Sequence, residues 1–200
     1  RVTQSQQVYA EQDGRAEPDA GTPAAPPFVK QYRALIAGGP DEKLPAEGVL
    51  RDYLFKDSRK GRVFPVSRPR KGVKEAVLEY RISASAPDGS TSLADITLHT
   101  GRTHQIRVHM SHIGHPLFND ERYGGSEIRK GTIYAKYRQF IQNCFELCPR
   151  QALHAKTLGF VHPGTGKWIQ FDSQIPEDMT AMIDKWRNYV NFVGTEEDNE

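Results

Sequence analysis

The segment TGRTHQIRVHMSHIGHP, residues 100–116, holds the densest set of side chains able to do chemistry. Arg102, Thr103, His104, Gln105 and Arg107 are clustered where a strand gives way to a helix. Backbone N–H groups are free at such a junction and the helix dipole favours an anion, so a phosphate or carboxylate would be at home there. Thr103 and Arg107 are four apart and lie on neighbouring turns, which lets one arginine point inward while Arg102 stays in the loop. The histidines His104, His109, His112 and His115 raise the question of zinc. His109 and His112 share a face, but no acidic ligand or general-base glutamate accompanies them as in His-Glu-x-x-His, and the reading contains no metal.

A second cluster is electrostatic. Between Lys56 and Lys74 stand Lys56, Arg59, Lys60, Arg62, Arg68, Arg70, Lys71 and Lys74, against Asp57. The whole chain has 27 basic and 25 acidic residues, a net charge of only +2, so the sum conceals a local excess. Such a stretch either contacts phosphates, each neutralised phosphate releasing counterions, or forms the solvated face of an ordinary hairpin. Phe55, Val63, Phe64 and Val66 interleave the cations and anchor the stretch to folded structure.

The elements that position these groups follow from spacing. FVKQYRALIAGG reads as a strand closed by Gly38, Gly39 and Pro40. Residues 48–83 read as short strands separated by basic loops, and EAVLEYRIS with SLADITLHT as a hairpin around Pro87-Asp88-Gly89. Ile106, Met110 and Ile113 then change the period to that of a helix stopped by Gly114. A second amphipathic helix carries Tyr137, Phe140, Ile141, Cys144 and Phe145 and stops at Pro149. Residues 151–173 form two strands around Pro163, Gly164 and Gly166, and a final helix starts near Glu177 with Met179, Met182, Ile183, Trp186 and Val190 on one face.

Two hundred residues, 37% hydrophobic and 26% charged, suffice for one globular domain. Residues 1–27 carry few large apolar groups and read as a flexible arm, with Val8 and Tyr9 as the site of a short strand; residues 28–190 are the folded domain, and 191–200 an acidic, disordered tail. No apolar run approaches the roughly 18 residues that cross a bilayer, and no leader opens the chain, so the expected location is cytoplasmic and no membrane contact is expected. Cys144 and Cys148 are core packing in a reducing compartment. Arg1 in place of an initiator methionine suggests that the natural beginning lies upstream.

TGRTHQIRVHMSHIGHPLFNDERYGG resembles the signature of the RluA-type RNA pseudouridine synthases. LHAKTLGFVHPGTGKWIQFDSQIPEDM is similar to that family's C-terminal block, KQYRALI to its lysine-x-tyrosine strand and RKGVKEAVLEYRI to its middle hairpin. The likeness runs from Phe28 to Tyr189, and residues 123–155 look most like members acting on large-subunit ribosomal RNA. The resemblance implies an α+β domain, a mixed, mostly antiparallel sheet with flanking helices. It also implies isomerisation of uridine in structured RNA without cofactor or metal. A uridine is flipped from its stack, an aspartate attacks the nucleoside, and the uracil rejoins through C5. By position, Arg107 is then the partner that keeps this carboxylate ionised, and Tyr32 the ring that packs on the uracil, its plain alternative being a core tyrosine. Arg102, Thr103, His104 and Gln105 become substrate-binding residues. Arg59, Lys60, Arg62, Arg68, Arg70, Lys71 and Lys74 become the RNA-binding set, and His154 and His162 structural residues.

One departure is plain. The family's nucleophile lies in a His-Arg-Leu-Asp motif followed by Thr-Ser-Gly, and these 200 residues contain no such string. Its expected place is at or just before residue 1; Asp13 and Asp19 are poor substitutes. The expectation is therefore a monomeric RNA-directed synthase domain, impaired or inactive alone. The alternatives are an RNA-binding module without chemistry and a structural or interaction domain.

Overall fold

The computed structural model describes residues 28–86, 88–127 and 135–197. The arm 1–27, including Val8 and Tyr9, and Pro87 of the expected turn lie outside the described residues. Among the described residues there are seven strands: β1 (Val29–Ala37), β2 (Glu47–Asp57), β3 (Arg62–Val66), β4 (Val73–Ser85), β5 (Thr91–Leu98), β6 (Leu153–Val161) and β7 (Trp168–Asp172). They form one sheet in the order β3-β2-β4-β5-β1-β6-β7. Among the described residues every pairing is antiparallel, which bears out the expected α+β domain with a mostly antiparallel sheet: the β2–β3, β4–β5 and β6–β7 neighbours are hairpins, and β1 lies between β5 and β6, antiparallel to both.

Alternation along the strands divides the side chains between two faces. Ala34 and Ile36 of β1, Leu78 and Tyr80 of β4, and Ala94, Ile96 and Leu98 of β5 bury one face. Helix α1 (Gln105–His112) covers it with Ile106 and Met110. The helix spacing read from Ile106 and Met110 is thus satisfied, and Gly114, at φ 96°, turns the chain away in the left-handed region open to glycine. On the opposite face, Leu35 meets Phe140, Ile141 and Cys144 of α2 (Ala135–Leu147) and Met179, Met182 and Trp186 of α3 (Glu177–Glu197). Both cysteines are buried and free, and burial pushes the Cys144 thiol up to about 12. The final helix continues to Glu197, so the backbone of the stretch expected as a loose tail is helical over most of its length.

Two local features prepare the site. A bulge shifts the β1–β6 register between Gln31 and Tyr32, leaving Lys156 as the extra residue of β6 beside the tyrosine. After α1 the chain returns along β1 through an isolated bridge between Ile36 and Leu117, then turns tightly through Asn119 and a 3₁₀ turn at Glu121–Tyr123. Asn119 adopts φ 57°, and its side-chain amide donates to the carbonyl of Cys148 at 2.8 Å, which ties the turn to the end of α2.

Candidate functional site

The turn 119–125 delivers Asp120 to Arg107. Arg107 Nε donates to Asp120 Oδ2 and Arg107 Nη2 to Asp120 Oδ1, both at 2.7 Å, a two-pronged pair with planar complementarity. The Asp120 side chain is fully buried and that of Arg107 is 15% exposed. Asp120 also accepts from the Tyr123 N–H at 3.2 Å. The Arg107 guanidinium lies 4.9 Å from the centre of the Tyr123 ring. Arg107, expected to wait for a carboxylate, therefore already holds one from its own chain. No periodicity in the sequence links Asp120 or Tyr123 to Arg107, so spacing alone does not mark either residue.

Tyr123 extends the arrangement. Its hydroxyl accepts from the Val63 N–H at 3.1 Å and lies 2.9 Å from His104 Nδ1. Burial, followed by Arg107 and Arg122, lowers the His104 pKa and favours the neutral ring. The tyrosine proton is thus available to Nδ1. His104 and Arg107, with Asn119, Arg122, Arg150 and Gln151, border a cleft of about 500 Å³. Arg150 is itself paired with Asp178 at 2.7 Å.

Gln105 differs from its expected role. It is buried, its Nε2 donates to the Val77 carbonyl at 2.9 Å, and its Oε1 accepts from Thr100 Oγ1 at 2.8 Å and from the Arg102 N–H at 2.9 Å. An amide consumed in this way braces the strand-to-helix junction and does not face a substrate. Arg102, beside it, uses Nε on the Glu75 carbonyl at 2.8 Å, and Thr103 is exposed.

The basic stretch meets this junction. Lys56 of β2 and Lys74 of β4 line a cleft of about 280 Å³ with Arg102, Thr103, Gly72 and Gly101. The β2–β4 pairing brings them together, since Leu54 stands opposite Lys74. Arg59 and Lys60 occupy the β2–β3 turn, and Arg68, Arg70 and Lys71 the loop into β4, all exposed. Arg62 lies over the Tyr123 ring at 5.2 Å and Arg70 over Phe55 at 5.3 Å. Among the described residues none of these cations forms an ion pair, so their field is left for an outside anion.

Tyr32 stands apart from Arg107. It is half-buried on the α1 face of β1, in register with Ile96 and Ala155, and burial raises its pKa. The cavity of about 690 Å³ that it borders includes Arg33, Asp95 and Lys156 but not Arg107. His154 and His162 have local partners: His154 Nε2 lies 2.8 Å from Ser173 Oγ, and His162 Nδ1 accepts from the Thr165 N–H at 3.2 Å. Among the described residues no group of three or more His, Cys, Asp or Glu side chains could hold a metal, and no helix is long and apolar enough to cross a membrane.

Comparison with known proteins places this arrangement. A model of the RNA pseudouridylate synthase family matches residues 25–112. An uncharacterized RNA pseudouridine synthase of Chlorobaculum parvum is 40% identical over 163 residues, covering 80% of this chain and 48% of the relative. The ribosomal large subunit pseudouridine synthase D of Zymomonas mobilis is 38% identical over 154 residues, covering 77% and 44%. The chain thus spans about half the length of the curated relatives it matches. Among solved structures, human RNA pseudouridylate synthase domain containing 4 superposes with a TM-score of 0.57 at 20% identity, covering 80% of this chain and 62% of its own, a likeness of fold. With the Thr100–Gly125 signature, the antiparallel sheet and these relatives in agreement, the chain belongs to the RNA pseudouridine synthase family, RluA type.

Proposed function

We propose that this chain is the RNA-gripping part of a pseudouridine synthase that isomerises uridine in structured RNA, with large-subunit ribosomal RNA as its substrate class. The observation that carries the reading is the convergence of Lys56, Lys74, Arg102 and Thr103 on one cleft. A phosphodiester fits that chemistry: three cations and a hydroxyl converge where Gly72 and Gly101 keep side chains out of the way. Arg59, Lys60, Arg62, Arg68, Arg70 and Lys71 extend the contact along the RNA backbone.

In this account the Arg107–Asp120–Tyr123 group is a rigid floor. Asp120 takes Nε and Nη2 of the guanidinium, so its Nη1 is the donor left for the carboxylate that attacks the nucleoside, and Tyr32 supplies the ring for the extruded base. The nucleophile itself comes from outside residues 1–200. We read the protein as a cytoplasmic monomer that uses no cofactor. The absence of the His-Arg-Leu-Asp string favours one second reading, an RNA-binding module without turnover.

The test is tritium release from C5-labelled uridine in ribosomal RNA. The purified chain alone should release little or none, and adding the aspartate-bearing segment of a relative as a separate polypeptide should restore release. Release by the chain alone overturns the division of labour. RNA binding without release, when that segment is demonstrably bound, overturns the enzymatic reading in favour of the binding module.

A further inference from the structure

His104 stands in a backbone conformation that its residue type rarely adopts. As the N-cap of α1 it has φ 53° and ψ 22°, the left-handed region in which glycine or asparagine is the ordinary occupant. Its carbonyl accepts the first helical bond, from the Val108 N–H at 3.0 Å, but its side chain caps nothing in the helix. The imidazole is turned instead to Tyr123. Nδ1 lies 2.9 Å from the tyrosine hydroxyl, and the two rings meet edge-on, with centres 5.7 Å apart and planes at 77°. A strained backbone that the helix does not need points to a use for the side chain it carries.

A chain of hydrogen bonds fixes which ring nitrogen carries the proton. Tyr123 is buried, and its hydroxyl oxygen accepts from the Val63 N–H at 3.1 Å. The single hydroxyl proton is then directed at Nδ1, and accepting from Val63 makes that O–H a better donor. The guanidinium groups of Arg62 and Arg107 lie 5.2 Å and 4.9 Å from the centre of the same tyrosine ring and hold it in place. With Nδ1 accepting, the proton of the neutral imidazole sits on Nε2. Nε2 has no hydrogen-bond partner among the described residues and is not buried, so it opens on the cleft of about 500 Å³ that His104 borders with Arg107 and Arg122. The charges facing the ring are Arg107 of α1, Asp120 and Arg122 of the following turn and Lys56 of β2. Burial, then Arg107 and Arg122, lower its pKa against the pull of Asp120, which keeps the ring neutral.

We propose that His104 presents its Nε2–H as a fixed, uncharged donor to an acceptor oxygen of a nucleoside in the bound RNA, a ribose 2′-oxygen or a uracil carbonyl, with Tyr123 as the positioning residue. The inference deepens the reading of the chain as an RNA-gripping domain and rests on it. An uncharged acceptor fits this donor better than a phosphate does. Cations serve phosphates elsewhere on the chain, whereas a ring held neutral among Arg107, Arg122 and Lys56 adds direction without adding charge. Arg107 Nη1, left for the attacking carboxylate, borders the same cleft, so the nucleoside under attack and its neighbours are the ones within reach. A hydrogen bond to a 2′-hydroxyl tells RNA from DNA, and one to a base edge tells one base from another. His104 thus contributes selectivity where the cations contribute general grip.

The test uses the 200-residue chain and a structured ribosomal RNA fragment, with filter retention for affinity and NMR of the ring nitrogens as a second readout. His104→Gly removes the imidazole at a position whose backbone suits glycine, so the wild-type circular dichroism should be kept. Its affinity should fall about fivefold, the worth of one neutral hydrogen bond, with the slope of log affinity against log salt unchanged. His104→Gln, whose amide N–H reaches about as far as Nε2, should recover part of the loss. In the free wild-type chain at neutral pH the His104 ring should show Nε2 protonated and Nδ1 bare, and RNA should shift the Nε2 resonance. Tyr123→Phe should shift the Nδ1 resonance and weaken binding by about threefold. Single 2′-deoxy and thiouridine substitutions in the RNA identify the acceptor: the one whose effect disappears in His104→Gly marks the ribose or the base. Wild-type affinity in His104→Gly overturns the proposal alone, as do a proton on Nδ1, RNA substitutions whose effects all persist in His104→Gly, and a salt slope flattened by one unit, which would make His104 a charged phosphate contact. A wild-type chain that binds no RNA overturns the functional reading and this inference with it.

Discussion

Replacing Asp120 with Ala should cost more stability than any surface substitution in this chain, and the structure sets the scale. The carboxylate is fully buried and receives both prongs of Arg107 and the Tyr123 N–H. Breaking a buried pair by removing one partner typically costs about 3–5 kcal/mol, mainly because the remaining charge is stranded. Here Arg107 borders a cleft, is 15% exposed and keeps its contact with the Tyr123 ring, so the lower end, about 3 kcal/mol, is the expected value. Asp120→Asn retains an acceptor and should lose about 2 kcal/mol. Urea unfolding followed by circular dichroism measures both, with the slope unchanged if only the native state is affected. In an Arg107→Met background the stranded charge is gone, and the Asp120→Ala cost should fall by at least about 1.5 kcal/mol. A loss below about 1 kcal/mol, or an equal loss in the two backgrounds, would refute the view that this pair fixes the floor of the site.

Other consequences can be measured in the same way. His109 is wholly buried, both ring nitrogens lack hydrogen-bond partners, and burial lowers its pKa to about 4, against the opposing pull of Asp52 and with a smaller push from His112. The unfolded chain takes up a proton near pH 6.5 that the folded chain refuses until about pH 4, so stability is present above that window and lost as pH falls through it. The loss from pH 7 to pH 5 should be about 2 kcal/mol, and His109→Leu should flatten it; a wild-type stability independent of pH in that range contradicts the burial argument. Gln105→Ala should destabilise by about 2 kcal/mol, since it removes three hydrogen bonds at the junction and leaves the Arg102 N–H without its acceptor, although the Val77 carbonyl keeps the His99 and Thr100 N–H groups; thermal unfolding near wild type would contradict the bracing role. A Cβ at Gly125 would collide with the Leu117 carbonyl oxygen, so Gly125→Ala should displace the turn that carries Asp120, detectable as new amide shifts at Asn119–Tyr123 and a lowered melting temperature.

Much of the fold is legible where one local pattern decides the outcome. Ile106, Met110 and Gly114 mark α1, and the spacing of Phe140, Ile141 and Cys144 marks α2, because each buries one helical stripe against one sheet face. The functional groups were harder to read. The pairing of Arg107 with Asp120 depends on a turn through Asn119 in the left-handed region, and no periodicity encodes such a turn. Gln105 looks like a substrate contact because it is polar and next to Arg102; only its position behind Thr100 and Val77 shows it to be a brace. Lys56 and Lys74 reach Arg102 through the long-range β2–β4 register, so a linear count of cations finds the excess but not the cleft. The wholly antiparallel sheet has the same origin, in the insertion of β1 between strands that come much later in the chain.

The most direct test of the account is the salt dependence of RNA binding by the 200-residue chain, measured by filter retention of a structured ribosomal RNA fragment. If Lys56, Lys74 and Arg102 grip phosphates, Lys74→Ala and Arg102→Ala should each weaken binding and flatten the plot of log affinity against log salt by about one unit. Replacing Arg68, Arg70 and Lys71 together with Ala should flatten it further. Slopes unchanged in all three variants, or wild-type binding without salt dependence, would contradict the claim that this half of the molecule is built to hold RNA.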